Sequence, residues 1–481
     1  MNLKNITISN YRSIEELNFP IQPVNGSYSY ALLGINESGK SSFLQALSLL
    51  DNGQINHPLD YFNQTEEVYV QLEYEFTKKE QDELHTLLKE EKNLPEDLVA
   101  LIEVTEMHVV VDYSPDPAHP KNKYEVIKFK KDKIPEYTLI SGVPTLKPEE
   151  GQHDPFSIAN YFKTTMNGYF LNQSHNVVFW KSSPEYLILE EIDLTAFAAN
   201  PLQVSVPLLN CFKLAEISQD KIQETVNGLI SSVPINNLQE KLSDLVTKHI
   251  NSVWPEHPIK IKFQISSNKI SLLIEDDGVQ YSVKTTRQRS DGFRQFVSFL
   301  LTLSVENHNG QLTNTILLID EPEVHLHPPA QINLLNELIE ITENKRNNIV
   351  FFATHSNYLI DKKNLDRCYK VVKQENHRTT LEKIAKTTSS YAEVNYEVFD
   401  IATTDYHNEL YGYLEDIDIA KLQTLTKNKV WNNARTGKAE NVSLSRYIRH
   451  SIHHPENDQN RMYTEKQLRT SIEILRELKY G

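Results

Sequence analysis

The chain contains one stretch whose residues are suited to binding phosphate groups. It runs from Gly34 to Ser41 with the sequence GINESGKS. Glycines let the backbone approach a phosphate closely, and the amides that open the following helix stabilise negative charge. We expect Lys40 to reach the β- and γ-phosphates of ATP, and the hydroxyl of Ser41 to ligate Mg²⁺. The predicted nucleotide-binding residues of this loop are Asn36, Glu37, Ser38, Gly39, Lys40, Ser41 and Ser42.

Two acidic residues, Asp320 and Glu321, follow an apolar run at residues 316–319. A buried strand that ends in this way brings Asp320 close to the magnesium ion and lets Glu321 act as a general base toward the attacking water. The same pattern also occurs where a buried strand simply meets a turn. Beside a phosphate loop, the catalytic interpretation is favoured.

Two further motifs are suited to the γ-phosphate. Ser290, Asp291 and Gly292 open a predicted helix, and His355 ends a predicted strand. Ser290 or Asp291 also suits an ordinary helix N-cap, and a histidine at a strand end is often a surface or core residue. In the functional interpretation, the N-terminus of this helix faces the nucleotide of a second subunit. His355 is predicted to sense the γ-phosphate, because its strand follows the Asp-Glu strand after one helix.

The periodicity of the sequence predicts the elements that position these motifs. Apolar and polar residues alternate over residues 3–20 and 68–76, which predicts strands with one buried face. Short apolar runs at 315–319 and 349–353 predict fully buried strands, with a helix between them. Strands that alternate with helices indicate an α/β fold with a layered sheet.

Changes in this pattern divide the chain into four segments. We expect an ATPase head in two halves, 1–78 and 258–386. Residues 79–257 are expected to be an inserted mixed α/β region, largely helical, that serves dimerisation. Residues 387–481 are expected to form a C-terminal helical domain.

Composition narrows the class of protein. The chain has 481 residues with 39% hydrophobic and 24% charged residues, which is typical of a folded protein with two or three domains. Its formal charge of −16 argues against a generally basic surface for nucleic acid. No apolar run is long enough to cross a bilayer, and no secretory signal is apparent. Two isolated cysteines, Cys211 and Cys368, fit a reducing cytosol, so a cytoplasmic location without membrane contact is expected.

Taken together, the motifs resemble those of the ABC ATPases of the OLD/RecF-like class. Residues 320–328 read DEPEVHLHP with Gln331 beyond, and residues 10–13 read NYRS; both are similar to elements of that class. The resemblance covers residues 1–77 and 258–386, and it implies an ABC-type ATPase head that uses ATP and Mg²⁺.

The resemblance also implies roles for single residues. Arg12 would contact the nucleotide, and His355 would be the switch histidine. Gln64 lies where a magnesium-sensing glutamine is expected, with the neighbouring Asn63 as the alternative. Ser290 and Gly292 would complete the ATP site of the partner in a head-to-tail dimer, with Asp291 between them. The residues that follow, Phe293-Arg294, depart from the commoner signature of the class.

The C-terminal segment raises the question of nuclease activity. OLD nucleases continue into a Toprim domain, but no strand with the required acids follows His355, and the Asp416–Asp418 pair lies in a helical pattern. Arg449 and His454 resemble the Arg-polar-x-x-x-His motif of HEPN ribonucleases, which cleave RNA without metal. The alternative is a polar helix end that Pro455 terminates.

The resemblance therefore implies an ATP-hydrolysing subunit of a bacterial anti-phage system, similar to the ATPase subunits of the PARIS and Septu systems and of retrons. Such a subunit forms a homodimer or higher oligomer through its heads and controls a nuclease effector in a separate chain, with nucleic acid or a phage protein as a further ligand. Two alternatives remain, an ATP-gated HEPN-like ribonuclease that uses Arg449 and His454, and a RecF-like DNA clamp.

Overall fold

The computed structural model describes residues 1–51, 53–116, 121–148, 153–183, 186–253, 258–280, 282–289, 291–306, 312–324, 326–343, 347–384 and 390–481. The strands within these residues are β1 (Asn2–Tyr11), β2 (Ile14–Pro20), β3 (Ser29–Leu33), β4 (Val68–Glu75), β5 (Val104–Tyr113), β6 (Asn122–Phe129), β7 (Lys133–Ile134), β8 (Tyr137–Ile140), β9 (Val143–Leu146), β10 (Phe156–Ser157), β11 (Asn176–Lys181), β12 (Glu191–Asp193), β13 (Ile259–Ser266), β14 (Lys269–Asp276), β15 (Lys284–Thr285), β16 (Thr315–Asp320), β17 (Ile349–Thr354), β18 (Cys368–Lys373), β19 (Thr379–Lys383), β20 (Lys429–Asn432) and β21 (Ala439–Val442).

The α-helices of the same residues are α1 (Lys40–Ser48), α2 (Lys78–Glu90), α3 (Glu96–Val99), α4 (Ile158–Thr165), α5 (Leu194–Ala199), α6 (Pro201–Val204), α7 (Val206–Leu214), α8 (Ile222–Asn227), α9 (Ser232–Val253), α10 (Asp291–Glu306), α11 (Pro328–Glu343), α12 (Tyr391–Phe399), α13 (Thr404–Ile417), α14 (Ile419–Gln423), α15 (Leu444–His453) and α16 (Glu465–Tyr480). None of the helices in the described ranges is both long and apolar enough to cross a bilayer.

A six-stranded sheet lies at the centre of the head, in the order β11-β16-β17-β3-β18-β19. Its first five strands are parallel and β19 is antiparallel, so the carboxyl ends of β3, β16, β17 and β18 meet at one edge. Every residue of β3, β16 and β17 is buried, as their continuous apolar runs predicted. This layered α/β arrangement is the predicted fold class.

Successive residues of these strands point to opposite faces, and a separate hydrophobic core covers each face. Leu32 and Leu318 pack with Leu44 of α1 in one core. Leu33 and Leu317 pack on the other face with leucines of α11. The sheet is therefore clamped between α1 and α11, which fixes the loops that leave its carboxyl edge.

A second, antiparallel sheet, in the order β2-β1-β4-β5-β6, lies over the α1 face. Ile8 and Val70 of this sheet belong to the same core as Leu44. Aromatic rings link the layers, since Phe19 of β2 packs against Phe351 of β17 at 5.2 Å and Phe43 of α1 packs against Phe351 at 5.3 Å. The phosphate loop is thereby held between two sheets.

Residues 79–257, expected as an inserted mixed α/β and largely helical region, combine helices and strands in the structure, but they are not separate from the head. Its strands β5 and β6 extend the antiparallel sheet, and β11 pairs with β16 in the central sheet. Helices α5 to α9 pack with β12–β14 in a third core, which also takes in Val297 and Leu301 of α10. This part of the chain thus contributes strands to both head sheets as well as a helical unit.

Residues 390–481 are mainly helical, as predicted, with a core between α13, α15 and α16. A short hairpin, β20–β21, was not predicted. Trp431 of this hairpin packs edge-on against Tyr447 of α15, 5.6 Å between ring centroids. The hairpin is therefore a small cap on α15.

A buried histidine connects the two sheets of the head. The Nδ1 atom of His175 lies 3.1 Å from the hydroxyl of Tyr74 in β4, and its Nε2 lies 3.0 Å from the carbonyl of Asn347, just before β17. Burial lowers the pKa of His175 from 6.5 to about 4. The folded protein therefore keeps this ring neutral at a pH where an unfolded chain protonates it.

The first prediction concerns stability in mild acid. His175 binds its proton more tightly in the unfolded state than in the folded state. Its contribution to the free energy of unfolding is therefore fully present above pH 6.5 and is lost as the pH drops toward about 4, by up to about 1.4 kcal/mol per pH unit. We expect His175→Gln to lower the melting temperature at neutral pH and to flatten its decline in acid, measured by thermal unfolding. His453→Gln, at an exposed position, should leave the curve unchanged. Parallel curves for wild type and His175→Gln would contradict this role.

Candidate functional site

The phosphate loop connects β3 to α1 at the carboxyl edge of the central sheet. Gly39 caps α1 with a φ of 109°, a left-handed conformation that favours glycine. A side chain on Gly34 would meet the carbonyl of Val371 at 2.6 Å, so the loop also requires glycine at its start. The first amides of α1 consequently face the cleft above the sheet, which suits an anion.

Lys40 lies under this loop and is only 5% exposed. Its ammonium donates hydrogen bonds to the carbonyls of Gly34 (2.9 Å) and Ile35 (3.0 Å). Burial lowers the pKa of Lys40, and the nearby carboxylates of Glu321 and Asp320 oppose that shift. The loop thus holds the cation at the place where phosphate oxygens would bind.

Asp320 ends β16 beside the phosphate loop and is buried. Burial raises its pKa, and a hydrogen bond from Ser41 opposes that shift. Its Oδ1 atom is buried without a hydrogen-bond partner. A hydroxyl and a carboxylate oxygen are the kind of ligands that Mg²⁺ prefers, so Ser41 and Asp320 fit such a cation if phosphates and water complete its shell.

Glu321 and His355 lie side by side across the cleft from the loop. The Nε2 atom of His355 is 3.4 Å from Oε1 of Glu321. Burial lowers the pKa of His355 and the charge of Lys40 lowers it further, so the ring is neutral at pH 7 and can donate a hydrogen bond. The side chain of His355 is 32% exposed and that of Glu321 is 44% exposed, which leaves the cleft open to water at this point.

Glu323 supports this pair and was not assigned a role from the sequence. One of its carboxylate oxygens accepts a hydrogen bond from the backbone amide of His355 at 2.7 Å, while the other is buried without a partner. Burial raises the pKa of Glu323. Ser356, next to His355, donates to the side chain of Gln331 in α11. Both glutamates of the DEPE sequence, Glu321 and Glu323, therefore contact the histidine.

Arg12 reaches the cleft from the loop between β1 and β2. Its guanidinium donates to Asp60 at 2.6 Å and contacts the side chain of Gln45 in α1. Asn10 fixes the neighbouring loop through the carbonyls of residues 63 and 66, at 2.9 and 2.7 Å. Gln64 lies in that loop with an exposed side chain and does not line the cleft, so its predicted magnesium contact remains a prediction.

The structure brings nearly all the residues of the predicted nucleotide site around one open cleft of about 440 Å³. Those that line it are Arg12, Asn36, Glu37, Ser38, Gly39, Lys40, Ser41, Ser42, Glu321 and His355, together with Ser13 and Lys373, which the sequence reasoning missed. Asp320 lies beneath the cleft. The arrangement provides a cation, helix amides and a carboxylate base around a space suited to a nucleoside triphosphate.

The proposed signature lies at the start of α10. Ser290 is outside the described residues, and Asp291 and Gly292 form the first turn of the helix. One turn further, Gln295 is buried and donates to the carbonyls of Pro322 (3.2 Å) and Glu321 (3.4 Å). The helix is therefore attached to the loop that carries the predicted catalytic base.

Arg449 and His454 are not brought together. The guanidinium of Arg449 faces α13, where it donates to Asn408 at 3.1 Å and stacks on Tyr411. His454 follows α15 as its cap, with its ring 6.4 Å from that of Trp431. The two side chains therefore contact different neighbours, Arg449 the helix α13 and His454 the hairpin residue Trp431. The HEPN-like pairing thus finds no support in this geometry.

The second prediction concerns Glu321. Glu321→Gln keeps the shape of the cleft but removes the base, so we expect ATP to bind normally and kcat to fall about 100-fold or more. Steady-state phosphate release and nucleotide titration measure the two effects. Glu382→Gln, on β19 away from the cleft, is the matched control. Retention of wild-type kcat in Glu321→Gln would exclude this residue as the base.

Comparison with known proteins finds one matching family and several similar chains. Residues 1–360 match the family described as AAA ATPase domain. An uncharacterized protein of Methanocaldococcus jannaschii is 30% identical over 142 residues, which cover 28% of this chain and 36% of that protein. The Old nuclease of Escherichia phage P2 is 24% identical over 181 residues, 34% of this chain and 30% of the nuclease. The chain thus spans about a third of the length of these curated relatives.

A solved structure of an SMC head bound to the C-winged helix domain of ScpA covers 80% of this chain and 99% of its own, with 11% identity and a TM-score of 0.40. The family match covers three quarters of the chain and includes the phosphate loop, the Asp-Glu strand and the histidine. The chain therefore belongs to the AAA ATPase domain family.

Proposed function

We propose that two copies of this ATPase pair through their heads when ATP is bound, and that pairing controls a nuclease effector carried by a separate chain in an anti-phage defence system. Similarity to the Old nuclease supports the link to nucleases, although it covers only 34% of this chain. The observation that carries the proposal is a route of contacts from the cleft to the C-terminal domain.

The chemistry within one head follows from its own residues. Lys40 and the amides of α1 bind the phosphates, and Ser41 with Asp320 would hold Mg²⁺ there. The cation would neutralise charge on the phosphates. Glu321 accepts a proton from the attacking water, and neutral His355 orients Glu321 through the contact of 3.4 Å.

The open side of the cleft supports the proposal of pairing. Glu321 and His355 are 44% and 32% exposed there, so bulk water reaches the place where the γ-phosphate would lie. A second head that covers this side would exclude water and strengthen each charge interaction in the cleft. By the family resemblance, Ser290, Asp291 and Gly292 of the second head would supply the covering helix N-terminus.

The route to the C-terminal domain begins next to His355. Asn357, two residues further, donates to Asn395 of α12 at 2.5 Å. The ammonium of Lys370 in β18 donates to the carbonyl of Glu397 in the same helix at 2.9 Å. Helix α12 therefore contacts elements on both sides of the phosphate loop, and a rearrangement of either would move it.

Helix α12 is also the support of the C-terminal domain. Glu393 accepts a hydrogen bond from Tyr480 of α16 at 2.8 Å, and the guanidinium of Arg476 pairs with Glu397 at 2.6 Å. The residues that contact the head and those that hold the C-terminal domain thus lie on one helix of nine residues. We assign residues 387–481 the role of relaying the ATP state to the effector.

The third prediction tests pairing. In Glu321→Gln, which traps ATP, we expect the chain to move from monomer to dimer on addition of ATP, measured by size-exclusion chromatography with light scattering. Lys40→Ala removes the phosphate ligand and Ser290→Arg blocks the partner contact, so both should remain monomeric. Ser231→Arg, at an exposed position before α9, should still dimerise. A monomer under every nucleotide condition would exclude ATP-driven pairing.

The fourth prediction tests the relay. Cells that carry the gene with its native neighbours are challenged with phages, and plating efficiency is measured. We expect protection to be lost in Lys40→Ala, because ATP binding fails, and in Asn395→Ala, because the relay is interrupted. Purified Asn395→Ala should retain its ATPase activity, and the exposed Asn428→Ala should protect like wild type. Full protection in Lys40→Ala would contradict the proposed function.

A further inference from the structure

The hairpin β18–β19 lies beyond residues 1–360, the part of the chain that matches the family, yet it borders the nucleotide cleft. We infer that Lys373 of this hairpin binds the phosphates nearest the sugar, and that Thr379 positions the phosphate loop. This inference rests on the assignment of the cleft to ATP.

Thr379, the first residue of β19, joins the phosphate loop to the β1–β2 loop. It is 2% exposed, and its hydroxyl donates to the carbonyl of Ser38 at 2.9 Å and lies 2.8 Å from the hydroxyl of Ser13. Its backbone amide donates to the carbonyl of Ser13, also at 2.8 Å. The side chain fills the space in which a Cβ atom of Gly39 would lie. One buried threonine therefore fixes the bend of the loop just before Lys40.

The place of Lys373 follows from the sheet. It is the last residue of β18, a strand that runs parallel to β3, so it lies at the same carboxyl edge as the phosphate loop. In the strand order β16-β17-β3-β18, Glu321 and His355 follow strands on one side of β3 and Lys373 ends the strand on the other. Lys373 lines the cleft together with Arg12 and Ser13.

This position decides which phosphates Lys373 contacts. Since Glu321 and His355 mark the γ-phosphate side, the opposite side holds the phosphates nearest the sugar. Those phosphates are present in both ADP and ATP. A cation that binds them stabilises the ground state and the transition state alike, so its loss raises KM and leaves kcat unchanged. Lys373 is therefore a binding residue rather than a catalytic one.

The experiment compares affinities for ADP and ATP in the full chain, with Glu321→Gln as the background so that ATP is not consumed. Titration with fluorescent ADP and ATP gives both dissociation constants. We expect Lys373→Ala to weaken both about tenfold, the loss of one charge-assisted contact. Lys373→Arg should restore most of the affinity. Lys383→Ala removes the same charge from the exposed far end of the hairpin and should bind like the background.

Three other outcomes would each overturn the proposed role of Lys373. If Lys373→Ala binds both nucleotides within twofold of the background while Lys40→Ala fails to bind, the role of Lys373 is excluded and the ATPase assignment stands. If only ATP is weakened, Lys373 lies on the γ-phosphate side and the inference is wrong. If Lys40→Ala binds normally, the cleft is not the nucleotide site and both assignments fail.

Thr379 is tested as a positioning residue by steady-state kinetics without the Glu321 substitution. Thr379→Val removes the hydroxyl at nearly constant volume, and we expect a higher KM for ATP with kcat retained. Thr379→Ser keeps the hydroxyl and should restore KM. A lower melting temperature in Thr379→Val with an unchanged KM would reduce the residue to a structural role and overturn its part of the inference.

Discussion

Three charged side chains gathered at the carboxyl edge of the central sheet constrain the rest of the site. Lys40, Asp320 and Glu323 are largely buried, and burial favours the neutral form of each side chain. It lowers the pKa of Lys40 and raises the pKa of the two acids. Desolvation of charge is costly unless partners are present. A bound triphosphate with its cation would supply such partners for Lys40 and Asp320. Ligand binding would thus offset the cost of desolvation that remains for these charges after folding. This is the physical basis of a preorganised phosphate site.

The backbone conformation of Glu321 also helps to form the site. This residue has a φ of 53°, in the left-handed region that costs a non-glycine residue about 1 kcal/mol or more. Its amide donates to the carbonyl of Ala353 at 3.0 Å, and Gln295 donates to the carbonyls that follow. These bonds hold the strained turn in place. As a result, the carboxylate of Glu321 lies in the cleft while that of Asp320, one residue earlier, lies beneath it.

The sequence predicted those parts of the site that are local in the chain. The phosphate loop, the Asp-Glu strand and the strand of His355 each combine a motif with its own element, so spacing alone was informative. Thr379 and Lys373 gave no such signal, because Thr379 meets Ser38 across 341 positions of sequence. For the same reason, periodicity did not predict the pairing of β11 with β16 or the extension of the antiparallel sheet by β5 and β6. Arg449 and His454 show the converse: their spacing in sequence matched a motif, but Arg449 contacts α13 while His454, just after α15, lies near Trp431.

The shared use of α12 has a thermodynamic consequence for any partner of the C-terminal domain. Asn395 and Glu397 contact the head, while Glu393 and again Glu397 contact α13 and α16. A nucleotide can change the C-terminal domain only by the difference in its affinity for two positions of α12. Linkage is reciprocal, so a partner that prefers the position set by ATP must tighten ATP binding by the same factor. Because Glu397 accepts from Lys370 through its carbonyl and from Arg476 through its carboxylate, it is the residue at which both effects meet.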